Sequence, residues 1–292
     1  MSSDNNLNNL LATKKNLSRI SADYLSPSAQ KWLQEALQAI TLSDQIYEDL
    51  GLYSAMAKRK LGAVTMEHSA ALDTVTPPLS LQHWSSADAG RIILLITAIE
   101  HDPDQTEAIF RAYFKMGDEA EHIALIRSLM IFAPAQFLTE LALDAGRTNS
   151  LELLSALTQD NPYPAAFYSE SEFNQMVLKG LFLGLAIERI SGISQRSNPD
   201  LTRMGENYVI ERENAVRSVP VDIWLAIGPY ASKTGRQQMI KYLTSEEMGH
   251  RYYCTLALIQ RLEQDPDLSP ILKQRMDIEK DPIISKLLQD NL

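Results

Sequence analysis

Apolar residues recur along this chain at the spacing of a helix face and almost nowhere at the spacing of a strand. Ile92, Leu95, Ile96 and Ile99 form one such stripe, and Ile109, Ala112, Tyr113 and Met116 a second. Ile126, Leu129, Met130 and Ala133 give a third, and Leu178, Leu181, Phe182 and Leu185 a fourth. Steps of three and four residues return side chains to one side of a helix, where burial can hold them. Strand-like alternation and Asn-Gly or Asp-Gly hairpin turns are absent. The chain therefore reads as all-α.

The punctuation agrees. Ser26-Pro27 supplies a cap and a first-turn proline ahead of Trp32, Leu33 and Leu37. Asp118 with Glu121, Asn149 with Glu152 and Ser169 with Glu172 repeat the capping-box spacing. Gly117 closes one helix, Asn198-Pro199 opens another, and Asp265-Pro266 breaks a late one. Between about residues 86 and 160 the helices are short and the links shorter, which sets neighbours antiparallel. Such stacked hairpins suggest an α-solenoid of the HEAT type, with an irregular helical bundle as the alternative. No fixed sequence period accompanies them. Residues 1–61 read as an N-terminal helical hairpin region whose first 25 residues fray, and 62–84, with Thr76-Pro77-Pro78, as a linker. Residues 85–264 form the main helical domain and 265–292 short C-terminal helices.

Composition narrows the function. There are 27 Lys and Arg against 37 Asp and Glu, a formal charge of −10, which disfavours nucleic acid and anionic membrane surfaces. Cys254 is the single cysteine, so an intrachain disulfide or a cysteine-built zinc site cannot form. The start, Met1-Ser2-Ser3-Asp4, lacks the basic head and apolar run of a leader, and apolar stretches such as 181–187 are too short to span a bilayer. A cytoplasmic protein without membrane insertion is expected.

Two Glu-x-x-His pairs, Glu119/His122 and Glu247/His250, have the spacing of di-iron ligands. Both follow cap residues, where an acid is favoured by the helix dipole alone, whereas di-iron ligands lie mid-helix. His68, His83 and His101 stand apart from any ligand spacing. Nucleophile elbows, P-loops and dinucleotide-binding glycine patterns are missing. Gly180 and Gly184 suit close helix packing in a soluble core. No cofactor is expected.

Asp144 to Arg217 is the informative stretch. It holds Asp144-Ala-Gly-Arg147-Thr148-Asn149, Asn161-Pro-Tyr-Pro164, which reads as a rigid extended link, and Phe173-Asn174-Gln175 followed by Lys179. Arg189, Arg196-Ser-Asn198-Pro199, Arg203, Tyr208 and Arg212 come after. Arginines and amides of this kind suit a phosphate, carboxylate or polyol, and they equally cap helices and cross-link loops.

These same residues, from about 105 to 227, resemble the EboA family of bacterial proteins encoded with the Ebo gene cluster. Two positions depart from the family pattern: Ala215-Val216-Arg217 stands where Ala-Gly-Arg is expected, and Gly180 where alanine is. The resemblance implies a part in metabolite traffic, since the cluster is associated with delivering secondary-metabolite precursors to the periplasm, as with scytonemin. It implies as partners other Ebo-cluster proteins or a small metabolite, and it carries over no catalytic residue. The expectation is a non-catalytic helical binding or scaffold protein. Arg147, Asn149, Asn174, Lys179, Arg203 and Arg212 would line a polar groove for a small anionic or polyol ligand, or for a partner protein. The alternative is a helical enzyme using metal at Glu119/His122 and Glu247/His250; a third reading is a pure protein-interaction solenoid.

Overall fold

A computed structural model describes residues 3–67 and 70–292, with side chains from Leu7 onward. His68 lies outside the described residues. Sixteen α-helices, three single-turn 3-10 helices and one two-stranded sheet of two residues per strand make up the regular structure described. The all-α reading holds. The chain divides into two compact units, Met1–Phe167 and Tyr168–Leu292.

In the first unit α1 (Ser3–Ala22), α2 (Pro27–Thr41) and α3 (Ile46–Leu61) precede a small hairpin, β1 (Ala71–Leu72) with β2 (Leu79–Ser80). Then come α4 (Ser86–His101), α5 (Thr106–Met116), α6 (Glu119–Phe132), α7 (Gln136–Gly146), α8 (Leu151–Thr158) and α9 (Tyr163–Phe167). The first 25 residues do not fray in the region described: α1 is continuous and packs Leu10, Thr13 and Leu17 inward. Residues 62–84 are anchored too, burying Leu72, Val75, Leu79, Leu81 and Trp84.

The centre of this unit is α4, which packs against α1, α2, α3, α5 and α6. Every residue from Ser86 to Ile99 is buried. The stripe Ile92–Ile99 therefore understates the helix: Ile93, Leu94 and Ala98 are fully buried as well. A helix apolar all round belongs at the middle of a bundle. Each buried Leu or Ile contributes about 1.5–3 kcal/mol of transfer free energy. Contacts from α4 back to α1 and α2 are those of a bundle around a central helix, not of a stack touching only sequence neighbours.

The second unit holds α10 (Glu170–Phe182), α11 (Pro199–Asn214), α12 (Trp224–Ile227), α13 (Lys233–Tyr242), α14 (Met248–Ile259), α15 (Leu268–Ile278) and α16 (Pro282–Asn291). Here α14 packs on α12, α13, α15 and α16. The buried face of α10 is Phe173, Asn174, Met176, Val177, Gly180 and Leu181, which shares only Leu181 with the expected stripe. Phe182 is 73% exposed and ends the helix.

Most caps fall where expected. Ser26, Asp118, Ser169 and Asn198 each accept a first-turn amide, and Asp118/Glu121 and Ser169/Glu172 are complete capping boxes. Asn149 is the exception, because Ser150 caps α8 instead. Asn161-Pro-Tyr-Pro164 is not an extended link: Tyr163 and Pro164 open α9, and the Asn161 carboxamide accepts the Tyr163 amide at 3.0 Å.

At the end of α11 the Arg217 amide donates to the Arg212 carbonyl at 2.9 Å and the Val216 amide to Glu213 at 3.0 Å. This pairing wants a left-handed residue at the bend, normally glycine. Val216 takes it with φ 53 and its side chain 94% exposed. A β-branched residue there is strained with no contact to offset it. Val216→Gly is expected to stabilise the chain by about 1 kcal/mol. Gly180→Ala should add a similar amount, about 1 kcal/mol, through helix propensity. Its new methyl would meet Ile190 and Leu185 at an ordinary 3.9 Å. Denaturation midpoints of both variants test this; a lower midpoint for Val216→Gly would show that the valine makes a contact worth its strain.

Candidate functional site

The six residues expected to line a polar groove are divided between the units. Arg147 and Asn149, in the first, are exposed, and Arg147, the C-cap of α7, pairs with Asp144 in that helix's last turn. The other four lie in the second unit, on α10 and α11. Asn174 is buried and locked to Asn198: each carboxamide donates to the other, at 3.0 and 2.9 Å. Asn198 also caps α11 through the Leu201 amide, so this pair positions α11 against α10. Arg203 is exposed and pairs with Asp200 one turn away. Arg212 donates from Nε to the Ser218 carbonyl at 2.7 Å and lies over the Tyr208 ring. Lys179 is half-buried on α10.

The Glu-x-x-His pairs are built into their surroundings, one in each unit. His122 stacks on Phe114 with ring centres 4.4 Å apart and donates from Nε2 to the Phe114 carbonyl at 2.7 Å. Glu119 accepts from the Ser150 hydroxyl. Glu247 is not in a first turn but at the N-cap of α14. Buried His250 accepts the Trp224 indole N–H on Nδ1 at 3.0 Å and sits against the Tyr242 ring, centres 4.5 Å apart. Burial lowers its pKa against the opposing pull of Glu247 and the Val219 backbone, which favours the neutral ring. Among the described residues, no three His, Cys, Asp or Glu side chains gather as a metal-ligand group.

A half-open cavity of about 610 Å³ in the first unit has room for a ligand. Its size falls within the usual range for small-molecule sites. Asn9, Leu10 and Thr13 of α1, residues 74–76, Ile99 of α4, Thr106 and Phe110 of α5, residues 130–132 of α6 with the 133–135 link after it, Phe137 and Phe167 form its wall. None of the residues lining it is charged, and none is among the six expected from sequence. Its hydroxyls are ordered: Thr13 donates to Thr74 at 2.9 Å and Thr106 to the Pro103 carbonyl at 2.6 Å. No motif could have announced it, because its walls are drawn from residues 7 to 167.

Fold and site together define a mainly α-helical protein with a half-open cavity whose wall carries no charged side chain. The family model for the metabolite traffic protein EboA matches residues 13–228. The chain belongs to the EboA family, and the match takes in most of the cavity wall as well as the stretch from 105 to 227. No curated protein and no solved structure matches it. Among the described residues no helix is long and apolar enough to cross a membrane.

Proposed function

We propose that this chain binds a small metabolite without transforming it and serves its passage within secondary-metabolite synthesis or export. The cavity of the first unit carries the reading: it has the volume of a ligand site and an uncharged wall that mixes aromatic and aliphatic side chains with hydroxyls. The family description, metabolite traffic, supports the same role. Nile red, a neutral dye, is expected to bind at one molecule per chain. Ala135→Trp, which fills the cavity from its wall, should abolish binding while the melting curve stays cooperative. Equal dye binding by that variant would remove the cavity from consideration.

A polar ligand surface ranks second, taken within one unit at a time: Arg147 and Asn149 in the first, or Asn174, Lys179, Arg203 and Arg212 on α10 and α11 of the second. Arg147, Asn174, Arg203 and Arg212 are each engaged within their own unit. Loss of binding in folded Lys179→Ala or Arg203→Ala, with Ala135→Trp unaffected, would reverse that order.

A further inference from the structure

Taking the cavity as the ligand site, we propose that its occupant is an uncharged aromatic ring system bearing a hydroxyl, and that carboxylates are rejected. Four phenylalanines from four helices, Phe110, Phe132, Phe137 and Phe167, contribute to the wall. Phe110 meets Phe132 nearly edge-on, with centres 4.8 Å apart and planes at 83°, and Phe137 at 5.4 Å and 60°. Phe132, Phe137 and Phe167 are only half-buried. Rings held in such arrangements leave faces and edges that another ring can extend, beyond what area burial alone gives.

Charge excludes the alternatives of similar size. With no Lys, Arg or His in the wall, a carboxylate or phosphate would lose its water and find no counter-charge. The wall offers acceptors and donors together: Thr13 and Thr106 are set to accept, while the Asn9 carboxamide and the Thr74 hydroxyl, which accepts from Thr13, have protons to give. Thr13 has committed its proton to Thr74, and Thr106 its proton to Pro103, so both oxygens are left with lone pairs. The last turn of α6 ends on the same wall, and Pro134 has no N–H to return to its terminal carbonyls. A wall with both kinds of partner suits a ligand hydroxyl, which donates and accepts through one atom.

Calorimetric titration of the full chain with 2-naphthol, naphthalene, 2-naphthoate and 1-decanol tests this. Expected is tightest binding of 2-naphthol, with naphthalene about fivefold weaker for want of one hydrogen bond. The carboxylate should be weaker by at least about tenfold, since its charge is buried unpaired. Thr13→Val should weaken 2-naphthol alone. Naphthoate or decanol binding as tightly as 2-naphthol would overturn the inference, as would a Thr13→Val loss shared by naphthalene. Nile red bound while all four compounds fail would also overturn it and leave the cavity a ligand site. Failure of Nile red as well would sink the proposed function itself.

Discussion

Glu279→Ala is expected to destabilise the second unit by about 3–5 kcal/mol, the range for deleting one partner of a buried ion pair. The Glu279 side chain is fully buried at the C-cap of α15, an end where the helix dipole disfavours an acid. Its retention is explained by what surrounds it. Arg251 donates from Nε and Nη2 to its two oxygens at 3.1 and 3.2 Å, and Arg275 from Nε at 2.9 Å. The Lys280 and Asp281 amides complete the set at 3.0 and 2.9 Å. Without the carboxylate, two largely buried guanidiniums face one another.

The same clamp fixes the pH dependence. Burial pushes the Glu279 carboxyl up, but Arg251, the Asp281 amide and Arg275 outweigh it and hold it at about 2, below its ordinary 4.5. An acid with a depressed folded pKa stabilises fully above the unfolded value, and that contribution is lost as pH falls toward about 2. Urea midpoints at pH 7 and pH 3 read both effects: wild type should weaken on acidification, and Glu279→Ala should lack this part of the drop. An unchanged midpoint at pH 7 would mean that the clamp contributes no more than an exposed ion pair, under about 1 kcal/mol.

What could be read in advance follows from the range over which each feature is encoded. A cap is local, so Ser26, Asp118, Ser169 and Asn198 announced themselves. Asn149 and Ser150 are neighbours of nearly equal capping strength, and only the register of α8 decides between them. Periodicity marked the helices but not always their buried faces. On α10 the pattern favoured Leu178 and Phe182, because counting apolar residues gives no credit to Asn174 or Gly180. Asn174 is buried because Asn198, 24 positions away, satisfies its carboxamide. The cavity is further still from local encoding, since Thr13 finds its acceptor on Thr74 and Phe110 its ring partners on Phe132 and Phe137. Polar side chains on α10 and α11 attracted notice as ligand contacts, while uncharged threonines and phenylalanines carried no signal that separates a cavity wall from a packed core.

Asp88→Ala is expected to cost the first unit more than Glu279→Ala costs the second, because one carboxylate there has three duties. Asp88 is the third residue of α4, and its Oδ2 accepts the Ser85 amide at 2.8 Å while its own amide donates to Ser85 Oγ at 3.1 Å. That capping box is worth about 1 kcal/mol. Arg127 donates to the same Oδ2 at 3.2 Å, and Asp88 opposes the burial that lowers the guanidinium's pKa. Arg91, one turn along α4, is only 3% exposed and lies 3.6 Å from Oδ1; its Nε donates to the Ser54 carbonyl at 3.3 Å. Alanine would leave Arg91 charged and buried with that carbonyl as its remaining partner, a loss of about 3–5 kcal/mol beyond the cap. Asp88→Asn should fall between, since its carboxamide oxygen can still accept from Ser85 while the charge is gone. Hydrogen exchange locates the effect: amides of α4 and α6 should lose protection in Asp88→Ala, and Asp88→Ala/Arg91→Met should recover part of it by removing the orphaned charge. Protection equal to wild type in the single variant would show that Arg91 and Arg127 find other partners and that α4 does not depend on its cap.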